Sequence, residues 1–490
     1  MNTELSHRQP VELARRLGFT TAVMLVVGSI IGSGIFKKPA LMAGQLGSGE
    51  LLIAVWVIAG VMTMFGALTN AEIASFIHAP GGQYIYFNKI YNKFVGYLYG
   101  WSVFSVYQTG SIAAIAYIFA DYFGYFFPPF HLSPQLEAFH FHISGIGDIF
   151  PLADLGTKTV TIACVMFLTT VNYFGVRFGG VVQVVFTALK VAAIAVIIIF
   201  GFAMGQGSIE HFTSSAVHFS GVGSLLGAML LAMSGAFWAY DGWINITYVA
   251  GEIKEPQRTI PRALFLGTAI VIAVYVLTNL AYLYVLPIDV MAQSKLVAAD
   301  VAEKFLKGYG GAFVSAAVMI STFGTANGTI LSSARVYYAM AKERLFFQKM
   351  EFVHPRYRTP GPSLFLQGVW ASLLALSGTF DQLTDQLIFV AWIFYALSAI
   401  GVFVLRKKMA NVPRPYRVWG YPYVPAIFVA FAALYVFYTL YSDITSFSRG
   451  ETPLINSVMG LIYVVIGIPG YIYWNRKKKL QQSKEPNESI

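Results

Sequence analysis

The chain is poor in charge: only 11% of its 490 residues are Asp, Glu, Lys or Arg, while 57% are hydrophobic. Soluble domains carry roughly 25% charged residues. It has no polar stretch long enough to fold as a separate aqueous domain, so the bilayer is the expected main solvent, although length alone would allow about three or four soluble domains. It has a single cysteine, Cys164, inside an apolar run. That excludes an intrachain disulfide framework, a CxxC redox pair and a cysteine-built zinc site. A signal-peptide pattern is also missing. After polar residues 1–17, the first apolar run has no small-residue cleavage site and far exceeds the roughly 7 to 15 residues of a signal core, so it is expected to be retained as a span.

A formal net charge of +10 would suit an anionic partner, but Lys and Arg beside hydrophobic spans hold cytoplasmic helix ends in place. Nucleic acid is not the expected partner; the lipid bilayer is. Runs suited to crossing a membrane, which takes roughly 20 mainly apolar residues, lie near 19–43, 51–77, 94–127, 160–174, 181–204, 222–250, 263–285, 312–340, 363–376, 387–405, 424–441 and 454–474. These are twelve spans, of which the ninth is the shortest. With the amino terminus inside, 24 of the 33 Lys and Arg fall in cytoplasmic segments and five outside, namely Lys158, Lys295, Lys304, Lys307 and Arg449. Both termini are therefore expected in the cytoplasm.

Two spans are interrupted. In the first, Gly28 to Gly34 packs three glycines and two serines into seven residues. Each interior Gly costs a helix about 1 kcal/mol relative to Ala, so unwinding is one reading; a Gly28/Gly32 small-xxx-small packing face is the other. In the sixth, the segment from Ser234 to Trp243 contains Gly235, Gly242 and a buried acid, Asp241. Interrupted helices at corresponding places in two inverted repeats point to a transporter's substrate site. Spans one to five and six to ten fit such repeats. Unwinding frees N–H and C=O groups that must find partners at membrane depth. A half-helix starting at Ser33 or Gly34 suits a carboxylate, and one ending near Phe237 and Trp238 suits an ammonium, so a zwitterion would satisfy both.

Lys190 stands nine residues into a run from Val181, roughly 14 Å along the axis, too deep to snorkel. A charge there is costly and needs a partner in the bundle. Carbonyls freed around Gly28 to Ile31 and the hydroxyls of Ser321, Thr322 and Thr325 are the expected acceptors, with the ammonium substituting for a bound sodium ion. Lys37 and Lys38, after the first interruption, are expected to reach water rather than to draw anionic groups.

At this point the motifs carry a resemblance. Gly28-Ser29-Ile30-Ile31-Gly32-Ser33-Gly34-Ile35-Phe36 resembles the first-helix signature of the amino acid/polyamine/organocation superfamily. Trp238 to Trp243 followed by Gly251 to Arg258, Phe323 to Gly328 with Ser332 to Arg335, and Pro80 to Tyr84 are similar to its L-type amino acid transporter branch, in its bacterial form. The resemblance implies an all-α integral membrane protein of twelve transmembrane helices, a 5+5 inverted-repeat (LeuT-like) fold with broken helices 1 and 6 plus two extra helices. In this sequence that gives a cytoplasmic segment 1–17, repeats 18–205 and 222–405, helices eleven and twelve in 422–475, and a basic tail 476–490.

It also implies a substrate site at Ile30, Ile31, Gly32, Ser33, Gly34, Ala236, Phe237, Trp238, Asp241 and Trp392. Ile30 would offer a carbonyl to the amine, Ser33 and Gly34 amides to the carboxylate, and Trp238 a carbonyl and a gating lid. Lys190 with Ser321 and Thr325 would serve coupling. Eukaryotic L-type members pair with a glycoprotein through an extracellular cysteine; Cys164 lies inside span four, so no obligate glycoprotein partner is expected. The implied function is secondary active transport of L-amino acids across the cell's inner (plasma) membrane by alternating access, as an exchanger of small or medium neutral amino acids. Proton-coupled symport and cationic amino acid or polyamine transport remain alternatives on the same fold.

Other signals are set aside. His131, His140, His142, Asp148 and Asp154 match no metal-ligand spacing, and neither metal nor cofactor is expected. Asp241 is a candidate protonation site as well as a cavity wall. Glu72 and Arg335 read as structural ion pairs, Val290 to Leu306 as an outer helical cap, and Gly82 to Lys93 as an interfacial helix. No HExxH, GxSxG or paired acids occur within the spans, so an enzyme is not expected; two unmatched interruptions argue against a channel.

Overall fold

The computed structural model describes residues 17–79, 81–174, 179–204, 207–215, 219 and 221–482. The amino-terminal segment to residue 16, Pro80 of the 80–84 motif, Arg177 and the tail from 483 lie outside the described residues. Among the described residues, eleven helical segments are long and apolar enough to cross a membrane. The expected ninth span is a shorter apolar helix of 17 residues, a rise of roughly 26 Å.

In chain order, the first span is α1 (Phe19–Ile30) and α2 (Gly34–Leu46), and the second is α3 (Gly49–Phe76). Helix α4 (Gln83–Ile90) leads to the third, made of α5 (Lys93–Ser102), a π-helical turn (Val103–Tyr107) and α6 (Gln108–Phe123). A loop follows with α7 (Pro134–Glu137) and the antiparallel hairpin β1 (Phe141–Ile143) and β2 (Gly147–Ile149), in which Phe141 faces Ile149. Then come α8 (Leu155–Phe174), α9 (Gly179–Met204) and the short α10 (Glu210–Thr213). The sixth span is α11 (Val222–Tyr240), continued by the single turn α12 (Asn245–Tyr248), and the seventh is α13 (Pro256–Val285). Two short helices, α14 (Ile288–Gln293) and α15 (Val297–Leu306), precede α16 (Gly310–Lys342) and α17 (Gly361–Ser377). The chain closes with α18 (Phe380–Lys408), α19 (Tyr423–Ser448), α20 (Asn456–Val465) and α21 (Gly467–Gln482).

The helices pair across the sequence midpoint. Helix α2 packs on α11, α3 on α13, α6 on α16 and α8 on α17, so each partner stands five spans further along. The third span is enclosed almost completely, whereas the last two mostly face outward. Starts are set locally: the Asn92 side chain accepts from the Phe94 and Val95 amides at the head of α5, and Thr379 with Gln382 closes a capping box on α18, occupying amides that would otherwise lack acceptors.

Two expectations are corrected here. Helix α4 does not lie on the surface: Gln83, Tyr84, Tyr86, Phe87 and Ile90 are fully buried, because Phe87 packs against Tyr99 and Phe394 and draws the helix between α5 and α18. Nor do Lys37 and Lys38 simply reach water. Lys37 pairs with Asp121 at 3.2 Å and Lys38 with Asp381 at 2.6 Å, acids that approach only once α6 and α18 have packed. At the opposite end Glu72 is held by Arg406 at 2.7 Å and Arg414 at 3.4 Å, and Arg335 meets Glu252 at 2.6 Å, the structural pairs that the sequence suggested.

Candidate functional site

The first span breaks where its glycines cluster. Helix α1 ends at Ile30, Ile31 turns to an extended conformation, and α2 restarts at Gly34. The Ser33 and Gly34 amides have no backbone acceptor among the described residues, as expected of the first turn of a helix. The second break sits two to three residues later than expected. Helix α11 continues through Ala236, Phe237 and Trp238 to Tyr240, and the chain unwinds at Asp241 to Ile244. Gly235 does not break the helix because it serves contact instead: a Cβ there would meet Met42 and Lys38 of α2. Gly242, at φ +107°, is the residue that turns the chain.

The two breaks touch. A Cβ on Gly34 would overlap the backbone of Ala239, and one on Gly242 would overlap the Ser29 carbonyl; only glycine permits either approach. The Tyr275 hydroxyl, from α13, lies 3.0 Å from the Ile30 carbonyl and 3.1 Å from that of Ala239, so a single donor bridges both breaks.

Between them is a narrow cavity of about 320 Å³. The first break contributes Ser29, Ile30, Gly32, Ser33 and Gly34; the second contributes Trp238, Asp241, Gly242 and Asn245. Ser111 and Ile115 of α6 and Thr325 and Thr329 of α16 complete the wall. Ser33 Oγ and the Trp238 indole nitrogen are buried without a hydrogen-bond partner among the described residues. A second, aromatic cavity of about 230 Å³ adjoins it, lined by Phe237, Trp243, Trp392 and Phe428 among others. Asp241 and its neighbours Tyr240 and Tyr395 also line that cavity, so Asp241 borders both.

The Asp241 carboxylate accepts from the Tyr395 hydroxyl at 2.6 Å and the Tyr107 hydroxyl at 3.1 Å, and the two hydroxyls are themselves 2.6 Å apart. Lys190 donates to the Gly28 carbonyl at 2.9 Å, the Ile31 carbonyl at 2.6 Å and Thr325 Oγ1 at 2.7 Å. Thr325 in turn lies 3.1 Å from the Ile31 carbonyl.

Of the residues singled out from sequence, Ile30, Gly32, Ser33, Gly34, Trp238 and Asp241 line the main cavity. Phe237 and Trp392 line the second, their ring centres 3.9 Å apart. Ile31 instead turns its carbonyl to Lys190, and Ala236 is buried within α11. Ser321 Oγ makes no hydrogen bond to Lys190. Tyr107, Tyr395, Tyr275, Ser111 and Asn245 were missed. Nothing in their local sequence marks them, although the π-helical turn that ends at Tyr107 is a feature often found at functional sites. On the loop beyond α6, His142 lies 2.8 Å from Asp148 and His131 3.7 Å from Glu137.

Comparison with known proteins adds an independent line. A family model described as amino acid permease matches residues 17–469. A serine/threonine exchanger of Bacillus subtilis is 33% identical over 477 residues, covering 96% of this chain and 99% of the relative. The human b(0,+)-type amino acid transporter 1 is 32% identical over 412 residues, 83% of this chain and 79% of the relative. The human cystine/glutamate transporter is 28% identical over 483 residues, 98% and 89% respectively.

Proposed function

Because the chain belongs to the amino acid permease family, we propose that the cavity between its two helix breaks binds the α-amino and α-carboxyl groups of an amino acid and that the protein exchanges such amino acids across a membrane. One observation carries this reading. Free amides at the start of α2 and the carbonyl end of α11 border one cavity. The first suits a carboxylate and the second an ammonium. The Ser33 and Gly34 amides take the carboxylate. The Ile30 carbonyl, now held by Tyr275, and the carbonyls closing α11 take the amine, and Trp238 covers the site.

Small or medium neutral side chains fit best, because the main wall is built mostly from Ser, Gly, Thr and Asn and because Asp241 is already engaged by two tyrosines. The similarity to a serine/threonine exchanger points the same way. The contracted cavity represents an occluded stage of alternating access, and substrate entry requires one side to open. Lys190 ties the break to α9 and α16 as a fixed internal cation in place of a metal.

The same reading takes Gly361–Ser377 as a membrane-crossing ninth helix and so gives twelve helices in all. It also gives two inverted repeats at 18–205 and 222–405, supported by the pairing of helices five spans apart, with 422–475 appended. The terminal segments 1–17 and 476–490 lie on the cytoplasmic side of an inner membrane, which the distribution of Lys and Arg supports. The protein acts as a transporter rather than an enzyme and needs no glycoprotein partner, since Cys164 is buried in α8.

Uptake of labelled serine, threonine or alanine into proteoliposomes tests the reading. It should require internal amino acid and ignore a proton gradient. Uptake by empty vesicles driven by external acid would overturn exchange in favour of symport, and failure of neutral amino acids to compete would overturn the substrate class.

A further inference from the structure

We propose that Lys38 is the positioning residue of a clasp that holds the Trp238 wall of the cavity closed on the side of the β hairpin. The inference rests on reading that cavity as the transport site. Lys38 stands one turn into α2, and its side chain is 1% exposed. Its ammonium donates to Asp381 at 2.6 Å and to Thr384 Oγ1 at 3.0 Å, both near the start of α18, and lies 4.7 Å above the Phe380 ring. Phe380 in turn meets the Trp238 ring edge-on at 5.9 Å. An ion pair outside the cavity is thereby connected, through one aromatic ring, to the side chain that lines it.

The pair is asymmetric, and this asymmetry makes it a clasp rather than a permanent strut. Asp381 is half exposed and sits in the first turn of α18, where the helix dipole favours a carboxylate. Lys38 is sealed, and a buried ammonium deprived of its acid is strongly disfavoured. The lysine reaches water only if α2 swings away from α18. Once both groups are solvated, little is lost by parting them. The pair therefore favours the closed arrangement and contributes little to the open one. Lys37, which is more exposed than Lys38 and pairs with Asp121 on α6 at 3.2 Å, gives α2 a second and weaker tie. Asp385, one turn further along α18, accepts from Ser234 of α11 at 2.9 Å; it feels the charge of Lys38, but the side-chain hydrogen bonds of the ammonium go to Asp381 and Thr384.

The test uses the full chain in proteoliposomes, with Cys164→Ser and a cysteine placed in the cavity wall by Ser111→Cys. A membrane-impermeant thiol reagent is added on the hairpin side without amino acid. Labelling should be slow in this parent and about tenfold faster with either Lys38→Met or Asp381→Asn, as for a population shift towards the open state. The double variant should label no faster than the faster single, because each change breaks the same pair. Apparent KM from that side should fall together with kcat, since opening becomes easier and closing harder. Asp381→Asn alters a half-exposed side chain and keeps the test valid if Lys38→Met does not fold. Labelling of Asp381→Asn at the parent rate would overturn the clasp, as would a double variant whose effect is the product of the two singles. Absence of amino acid transport by the unmodified chain would instead count against the cavity's assignment, because labelling is scored without substrate.

Discussion

The Lys190 ammonium lies 2.6 Å from the Ile31 carbonyl, so a side chain of α9 takes up a main-chain acceptor left free where α1 stops. Gly28 and Thr325 complete the cradle. Removing the ammonium takes a donor from three buried acceptors; the single Thr325 hydroxyl proton can still serve the Ile31 or the Ser321 carbonyl but cannot replace the three donations, and each acceptor left unpaired costs about 1–3 kcal/mol. Lys190→Ala should therefore lower exchange by more than about tenfold while the protein still inserts, as judged by its yield in membranes and a monodisperse elution profile. Exchange at the unmodified rate would remove Lys190 from the mechanism.

Gly242→Ala should lower the melting temperature and abolish exchange. The residue holds a left-handed φ of +107° and touches the Ser29 carbonyl, and strain of this kind costs on the order of 1–3 kcal/mol. Gly223→Ala, where an added Cβ meets nothing within 4 Å, serves as the control and should be neutral in thermal unfolding. Equal effects at the two positions would mean that the breaks do not need their close approach.

The glycines of the two breaks also show what was legible in the sequence and what was not. The first break was legible as an interruption, because Gly28, Gly32 and Gly34 lie within one apolar run, but those glycines suited helix packing equally and the matching interruption in the sixth span was needed to favour a break. The second was misplaced because propensity counts glycines without saying what each does: Gly235 admits α2 against an unbroken helix, whereas Gly242 turns the chain. Lys190 was conspicuous as a charge among aliphatic neighbours, and its acceptors followed from the break. Tyr107, Tyr275 and Tyr395 were invisible among 29 tyrosines, since only the packing of α6, α13 and α18 decides which hydroxyls face the site. The partners of Lys37 and Lys38 were hidden likewise, being 84 and 343 residues away.

Tyr395→Phe combined with Tyr107→Phe should relax selectivity towards cationic side chains. Both hydroxyls now satisfy the Asp241 carboxylate; without them the acid would be left to pair with a lysine or arginine side chain. In competition assays those two amino acids should gain on serine by about tenfold or more, the effect expected when a buried charge loses its donors. An unchanged ranking of competitors would show that Asp241 does not set charge preference.

Glu72→Gln should destabilise the fold by about 3–5 kcal/mol in thermal unfolding, the usual cost of stranding buried charge. The fully buried carboxylate of Glu72 accepts from Arg406 at 2.9 and 2.7 Å and from the Val418 amide at 2.8 Å. Arg449→Ala breaks an exposed pair with Glu451 at 3.8 Å and should change stability by less than about 1 kcal/mol.

A zwitterion requirement can be read without measuring transport. Serine or alanine at about a hundred times its Kd should stabilise the purified protein by about 2.7 kcal/mol. The matching amine lacking a carboxyl, or acid lacking an amine, should give almost none. Comparable protection by either fragment would mean that only one of the two helix breaks takes part in recognition.

The π-helical turn at Val103–Tyr107 fits one additional residue into the third span. Everything beyond it is rotated in phase by roughly 100°, one residue's worth of helical turn. That offset aims Ser111 at the cavity and Asp121 at Lys37, so the geometry of the site and a tie at the rim share one origin. Deleting a single amino acid there would turn both away together, a coupled loss that no point substitution at either end could reproduce.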